Sequence, residues 1–388
     1  MSKNYQSLNT KFVHAGESPD AQFGAIAPLL VRTKTFRQPE FGVESAWAYS
    51  RGKNPTRSIL EKKLELILGQ GQATVFGSGD AATTMLLFNF LPGDHIICGK
   101  ELYGGTVRLL EQLFKDYGIL VSHIDVENEK EVAKALKTTT KAIFVETITN
   151  PSLNVTDLTR VSKIAKKHKL ELVVDATFTP PSSINPFDYG AGTVLYSLSK
   201  YFGGHNDCLG GALITKNKKW HERHVWLQWS VGALLSPDES YRFIQELKTL
   251  GLRWRRVSDT ADEVAKFLQT HPKIKKVNYP ALKKQNSFDA VYAKNGFGGV
   301  ISLELNETRY ENLKKFVTDI QKNEIIVFAE SLASPETIIS HPATMSHRSL
   351  SDEKRQSLGI SKSFFRLSVG FEGAQDIIKS LESSLKKL

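Results

Sequence analysis

Between residues 73 and 215 the chain alternates short apolar runs with longer helical patterns, and this alternation restricts its fold more than any other feature. The runs occupy 73–76, 95–98, 120–124, 142–145, 172–174, 194–198 and 211–215, and are rich in Val, Ile, Phe and Leu. Helical patterns lie between the early ones, at 83–90, 107–117, 129–137 and 157–168. Strands that alternate with helices imply βαβ units and a mainly parallel sheet buried on both faces. The last runs are joined by shorter loops, which leaves room for one antiparallel strand. A long helical pattern from Ser240 to about His271 follows, and the pattern changes after His271-Pro272. Beyond it, 299–305 alternates like a half-exposed strand, 310–321 and 375–388 read as helices, and 364–369 as a further strand. The fold class is therefore α/β, with a smaller C-terminal α+β domain. The expected divisions are an arm over 1–58 without regular pattern, a large domain over 59–245 and a small domain over 246–388. An arm of that kind needs a partner surface to order it.

Composition narrows the function classes. The net charge is +10, but the lysines are spread along helices and form no long basic block. A nucleic-acid role needs clustered charge, so none is expected; attraction for an anionic cofactor or substrate explains the charge as well. No apolar run reaches the roughly 18 residues of a membrane span. Met1 to Tyr5 lacks the apolar core of a secretory signal. The two cysteines, Cys98 and Cys208, have no metal-type spacing, which suggests no metal and a reducing, cytoplasmic setting.

The candidate chemistry collects at strand ends. Lys200 follows an apolar run and is flanked by Ser197 and Ser199, whose hydroxyls share a side if Leu198 turns away. A lysine there is either a solvated strand end or an amine held in the crevice at the strand ends. Asp175 closes the run 172–174, as a turn residue or as a carboxylate able to keep a ring nitrogen protonated. Thr177 follows on the same side. Gly77-Ser78-Gly79-Asp80 is a glycine-rich strand-to-helix turn of the kind that binds phosphate, although Asp80 opposes a phosphate unless its side chain turns away. Tyr103 precedes Gly104 and Gly105, either as a surface tyrosine or as a ring stacked on a flat ligand. Asn150 ends another strand before Pro151, as a turn initiator or a partner for a phenolate oxygen. Arg366 lies in an apolar strand of the second domain, where an arginine is either an edge residue or a bidentate clamp on a carboxylate. Together these are the parts that pyridoxal 5'-phosphate (PLP) needs.

These residues stand in motifs whose order resembles the cystathionine γ-synthase/γ-lyase family, the Cys/Met-metabolism group of fold-type I PLP enzymes. The likeness runs from about Lys11 to Leu388. It includes Tyr49-Ser-Arg with Asn54-Pro-Thr-Arg, Tyr103-Gly-Gly-Thr, Glu146-Thr with Asn150-Pro151, Val174-Asp175, Ser197-x-Ser-Lys200, Glu330-Ser331-Leu332, His341-Pro-Ala and Arg366-Leu-Ser-Val-Gly. The resemblance implies a seven-stranded, mainly parallel sheet. It implies that Lys200 carries the cofactor as a Schiff base and moves protons between substrate carbons, with Tyr103 stacked on the ring and assisting. Asp175 pairs with the ring nitrogen, and Gly79, Asp80, Ser197 and Ser199 hold the phosphate. Tyr49 and Arg51 come from a neighbouring subunit, which implies a homo-oligomer, a dimer of dimers with shared sites. Arg366 with Ser331, Asn150 and Glu330 binds a small amino-acid substrate.

The chain departs from the family pattern at Ala176, Ser199, Gly77, Gln245-Glu246, Lys34, Ala333 and Ser334. Gly105, where methionine γ-lyases carry a cysteine, and Glu330, where cystathionine enzymes carry a glutamate, favour cystathionine-type chemistry. The expected activity is γ-lyase-like C–S elimination, β or γ. The alternatives are γ-replacement on an activated homoserine, a specialised C–S lyase, and a non-catalytic protein of the same fold, against which the retained Lys200, Asp175, Tyr103 and Arg366 speak.

Overall fold

The computed structural model describes residues 5–43, 45–282, 294–348 and 351–388; Met1 to Asn4, the start of the segment read for a secretory signal, lie outside them. The apolar runs form a seven-stranded sheet from β1 (Gln72–Phe76), β2 (His95–Gly99), β3 (Leu120–Ile124), β4 (Thr140–Glu146), β5 (Glu171–Asp175), β6 (Thr193–Ser197) and β7 (Gly211–Thr215). Its order is β1-β7-β6-β5-β4-β2-β3. β7 is antiparallel to both β1 and β6, and the other neighbours are parallel. Successive residues feed opposite cores. Phe144, Val173 and Leu195 face one layer, and Val145, Val174 and Val194 face the other, which is why these strands read as continuous apolar runs rather than alternating ones.

The helices start and stop where side chains satisfy free backbone groups. The expected helix at 83–90 is α3 (Gly79–Leu87), and it begins earlier because the Ser78 hydroxyl accepts from Ala81 N. α4 (Gly104–Arg108) passes into a π-helical stretch, Leu109–Phe114. α5 (Glu129–Ala135) and α6 (Leu158–Lys167) are capped by Asn128 and Asp157.

Four expectations need correction. The arm is not wholly irregular, since α1 (Leu8–His14) lies within it and α2 (Pro55–Leu68) starts before residue 58, capped by Asn54. Helix α7 (Lys218–Val231) escaped the pattern because Trp226 and Trp229 lie on its exposed side while His224 and Gln228 are buried. The long helical stretch is two helices, α8 (Pro237–Leu247) and α9 (Leu250–Thr270). Arg253 spans their junction, giving hydrogen bonds to Glu246 O, Tyr201 O and Phe202 O. Finally, β9 (Val300–Leu305) is not half-exposed but buried along nearly its whole length.

β9 belongs to a second, five-stranded sheet with β8 (Ile274–Asn278), β10 (Ile326–Phe328), β11 (Thr337–Ser340) and β12 (Phe364–Ser368), in the order β10-β11-β12-β9-β8. α10 (Tyr310–Lys322), α11 (Asp352–Ser357) and α12 (Ala374–Leu385) complete this part. One apolar core runs from Val145 and Val174 on the large sheet to Ile301, Ile339 and Leu367 on the small one. The chain before α2 is fastened to α2 and to the α8–α9 junction by the largely enclosed Glu17 side chain, which meets Lys63 at 2.6 Å and Lys248 at 2.9 Å.

Candidate active site

The site lies at the carboxyl ends of β4, β5 and β6, where parallel strands of an open sheet leave a crevice. A cavity of about 230 Å³ opens there, lined by Gly79, Asp80, Tyr103, Asn150, Asp175, Thr177, Ser197, Ser199, Lys200 and Arg366 among others. Ten of the sequence candidates therefore meet in one cavity.

Asp175 ends β5 and is buried. Its Oδ1 accepts from Thr177 N at 2.9 Å, and the Thr177 hydroxyl accepts from Ser197 N at 2.9 Å, so one threonine joins the ends of β5 and β6. Burial pushes the Asp175 carboxyl up to about 6 despite those hydrogen bonds, and nearby Asp80 adds to the rise. A carboxylate in that state gains most from a cation beside it.

At the end of β6, the Lys200 amine donates to the Ser331 hydroxyl at 2.9 Å. Burial first, and the positive charge of Arg366 second, bring its pKa down to about 8, while Asp80 and Glu330 oppose the fall. A substantial fraction of neutral amine is thus present near neutral pH, as a nucleophile or base requires.

The glycine-rich turn is shaped for a close approach. A Cβ on Gly79 would lie 2.8 Å from Ser197 Cβ and 2.9 Å from its hydroxyl, so only glycine leaves this notch open. The first N–H groups of α3 have no partner within the helix. The Asp80 carboxylate does not point at that notch. Its Oδ1 sits 2.9 Å from where a Gly105 Cβ would stand, beside the Tyr103 ring, which is the turn away from the notch that a phosphate there would require of Asp80. Ser199 is also turned inward, exchanging hydrogen bonds with Gly210 O and Gly210 N. Burial, then Asp80, raise the Tyr103 phenol, so it holds its proton.

Arg366 reaches the cavity from β12. It is buried, and desolvation lowers its pKa to about 10, which leaves it charged. Nη1 donates to Asn150 Oδ1 at 2.9 Å and Nη2 to Ser331 O at 2.8 Å. Its Nε has no partner among the described residues. A buried donor left over on a fixed guanidinium is suited to a carboxylate that arrives from outside. Asn150 precedes a cis peptide bond to Pro151, and Ser331 has φ 89°.

Glu330 and Ser331 line a second cavity of about 450 Å³ with Asn206, Cys208 and Glu336; Ser199, Lys200 and Leu209 border both cavities. Tyr49 and Arg51 enter neither. Tyr49 is 46% exposed, with the Arg51 guanidinium 5.6 Å from its ring centre. Two participants were not among the sequence candidates. Glu146 lines the first cavity and is the register partner of Asp175, a position signalled by a second carboxylate at a strand end. Arg57, buried in α2, donates to the carbonyls of Ser50, Arg51 and Gly52 and so shapes the turn that bears Tyr49 and Arg51.

One cavity thus holds an amine of lowered pKa, a buried carboxyl of raised pKa, a glycine notch at a helix start and a guanidinium with an N–H to spare. The family described as "Cys/Met metabolism PLP-dependent enzyme" matches residues 9–386, and the chain belongs to it. It is an enzyme whose cofactor is PLP. The chain is 36% identical to cystathionine gamma-lyase of Bacillus subtilis over 380 residues, covering 98% of this chain and 99% of that protein. It is 38% identical over 383 residues to cystathionine beta-lyase of Lactococcus lactis subsp. cremoris, covering 98% and 99%. The crystal structure of cystathionine gamma synthase from Xanthomonas oryzae pv. oryzae in complex with cystathionine superposes with a TM-score of 0.92 at 32% identity, covering 98% of each chain. The fold is that of these PLP enzymes. Among the described residues no helix is long and apolar enough to cross a membrane, and no cluster of metal-ligating side chains occurs.

Proposed function

We propose that this enzyme eliminates the sulfur substituent of a thioether amino acid of the cystathionine type. The observation that carries the reading is the pairing of a Lys200 amine brought to about 8 with an Arg366 guanidinium whose Nε lacks a partner. The arginine, with Asn150 and Ser331, binds the substrate carboxylate and so fixes the Cα–H bond against Lys200 Nζ. PLP, when bound, supplies an electron sink for the charge that develops at Cα. Lys200 Nζ removes the Cα proton and returns a proton to the substrate as sulfur leaves. Tyr103, which keeps its phenolic proton, packs against the cofactor and donates toward the leaving group. Asp175 holds the ring nitrogen in its charged form, Thr177 holds Asp175, and the notch of Gly79, the first N–H groups of α3 and the hydroxyl of Ser197 hold phosphate, while Ser199, bonded to Gly210, shapes the loop beside them. Glu330, in the second cavity, faces the distal end of the substrate.

Tyr49 and Arg51 act in the site of a neighbouring subunit, since both lie outside the cavity of their own chain. The working unit is then a homodimer or a dimer of dimers. We assign 1–58 to the arm, 59–245 to the cofactor domain and 246–388 to the small domain. The two free thiols suit a reducing cytoplasm. The γ-replacement reading stays beside elimination because the structure of the Xanthomonas oryzae synthase superposes over 98% of this chain.

The test incubates the enzyme with L-cystathionine, then with O-succinyl- or O-acetylhomoserine plus cysteine. We expect 2-oxo acid from cystathionine, and the thiol released with it separates β- from γ-cleavage. Thioether formed from the homoserine esters, without 2-oxo acid from cystathionine, would move the assignment to replacement. Turnover of none of these would overturn both.

A further inference from the structure

The mechanism above leaves one buried carboxylate in the cavity unused. Glu146 closes β4 as Asp175 closes β5, and the two are partners across parallel strands. Its Oε1 accepts from Tyr103 N, and its Oε2 accepts from Asn150 N at 3.1 Å. These N–H groups belong to two different loops. One opens α4 and carries the stacking tyrosine. The other carries Asn150, whose Oδ1 accepts from Arg366 Nη1 at 2.9 Å. Arg366 Nη2 continues to Ser331 O at 2.8 Å, and Ser331 Oγ accepts from Lys200 Nζ at 2.9 Å. A continuous hydrogen-bonded path thus runs from Tyr103 through Glu146, Asn150, Arg366 and Ser331 to Lys200. Glu101, two residues before Tyr103 in the same loop, ties the two loops a second time on their outer side, accepting from Thr149 at 2.8 Å.

We propose that Glu146 is a positioning residue that holds the tyrosine loop and the asparagine loop at a fixed spacing, so that one side chain sets both the ring-stacking face and the carboxylate clamp. The role of the clamp rests on the function proposed above; the geometry of the two loops does not. Two N–H groups on opposite oxygens of one carboxylate cannot shift independently. A loop that moves by an ångström would misplace Arg366 or Tyr103 by a similar amount, and such misplacement lowers rates by on the order of 10²-fold. Burial and the neighbouring Asp175 hold the Glu146 carboxyl well above the usual carboxylate range. Loss of charge is therefore a small part of what Glu146→Gln does. The larger part is that an amide sets its own NH₂ against one of the two N–H donors.

The experiment compares wild type, Glu146→Gln, Glu146→Asp, Asn150→Ala and the Glu146→Gln/Asn150→Ala pair as holoenzymes. Four readouts are taken: kcat, KM for cystathionine, the PLP dissociation constant from titration of apoenzyme, and the thermal midpoint. We expect Glu146→Gln to fold with a midpoint within a few degrees of wild type and to lose about 10²-fold in kcat/KM. Glu146→Asp, too short to reach both loops, loses a comparable amount although it keeps the carboxyl group. The PLP dissociation constant rises severalfold. In the double variant KM is no worse than in the poorer single variant, because both changes act on the same arginine. Wild-type kcat and KM in Glu146→Gln would overturn the proposal. So would fully additive effects on KM, or a Glu146→Gln protein that does not fold, which would assign the side chain to stability alone. If wild type turns over no substrate, the functional reading fails, and an unchanged PLP dissociation constant in Glu146→Gln then overturns the positioning role on its own.

Discussion

The crevice at the strand ends and the turn at Tyr49–Arg51 hold two halves of one proposed cofactor site under opposite conditions. In the crevice Asp175, Glu146, Asn150 and Arg366 are buried and their hydrogen bonds are directed, with Arg366 Nε left over. The turn is just as firmly built, by Arg57 and Asn54 beneath it. Yet the side chains of Tyr49 and Arg51 face outward, near the exposed Trp229 of α7 and downstream of the exposed Phe23, Ile26 and Phe41. A rigid backbone beneath exposed arginine and aromatic side chains suits a surface that a second copy completes. The contrast teaches that order and enclosure are separate: the crevice has both, the arm only the first.

The strongest way to break this comparison is to remove the crevice's amine. Lys200→Ala should lower kcat by on the order of 10³-fold or more, since proton transfer and covalent capture both end. Borohydride reduction and mass mapping should then find no cofactor on the peptide that carries residue 200. In the wild-type apoenzyme the rate of PLP capture should rise with pH through about 8, because only the neutral amine attacks an aldehyde. Capture that is flat with pH, or a tag on another lysine, would contradict the placement of the site.

Next comes the clamp. Arg366→Lys keeps the charge but loses the fork, so the Asn150 and Ser331 O contacts cannot both be kept while a carboxylate is bound. KM should rise by about 10- to 10²-fold, the equivalent of one or two charge-assisted hydrogen bonds, with kcat changed less. An equal fall in kcat at constant KM would place Arg366 in the transition state only.

How much of this was legible in the sequence follows the same division. Asp175 and Lys200 could be read because each ends an apolar run, and a buried parallel strand shows itself by composition alone. The pairing of Asp175 with Glu146 could not, because register across β4 and β5 is a long-range fact. The placement of the Asp80 carboxylate beside Tyr103 and the bonds of Ser199 to Gly210 depend on side-chain directions that no spacing fixes. Helix α7 was hidden by tryptophans on its outer side, and the α8–α9 junction by Arg253, whose carbonyl partners lie about fifty residues upstream as well as in the junction. Tyr49 and Arg51 were legible only through the family resemblance, since their own surroundings say little about a ligand.

The arm can be tested by complementation, which sharpens the comparison directly. A Tyr49→Ala/Arg51→Ala chain should bind PLP about tenfold more weakly or worse, because phosphate contacts are lost. Co-expressed with Lys200→Ala, it should regain activity. Mixed dimers pair an intact lysine on one chain with an intact arm on the other, so random pairing restores about a quarter of the wild-type sites. No recovery would mean that the arm serves its own chain.

The smallest effect concerns stability and sets the crevice apart from the arm. Asp175 has its folded pKa raised from 3.8 to about 6 by burial. A raised carboxyl pKa means that the folded apo-protein binds the proton more tightly than the unfolded chain. The associated stability is complete below about pH 4 and is lost as pH rises through about 6. At neutral pH the apoenzyme therefore carries a buried charge that only the cofactor's cation offsets. Asp175→Asn keeps the oxygen that accepts from Thr177 N while removing that charge, and relieves Glu146 beside it. The apo variant should melt a few degrees above wild type at pH 7.5, since a kcal/mol is worth roughly 2–4 °C in a domain of this size. The gain should vanish near pH 4 and reverse when PLP is present. Arg51→Ala, whose side chain is exposed, should show none of this pH dependence in the apoenzyme. A gain that persists at pH 4, or appears equally in both variants, would show that the crevice does not store the cost of an unpaired carboxylate, and would remove the physical reason for placing a cation there.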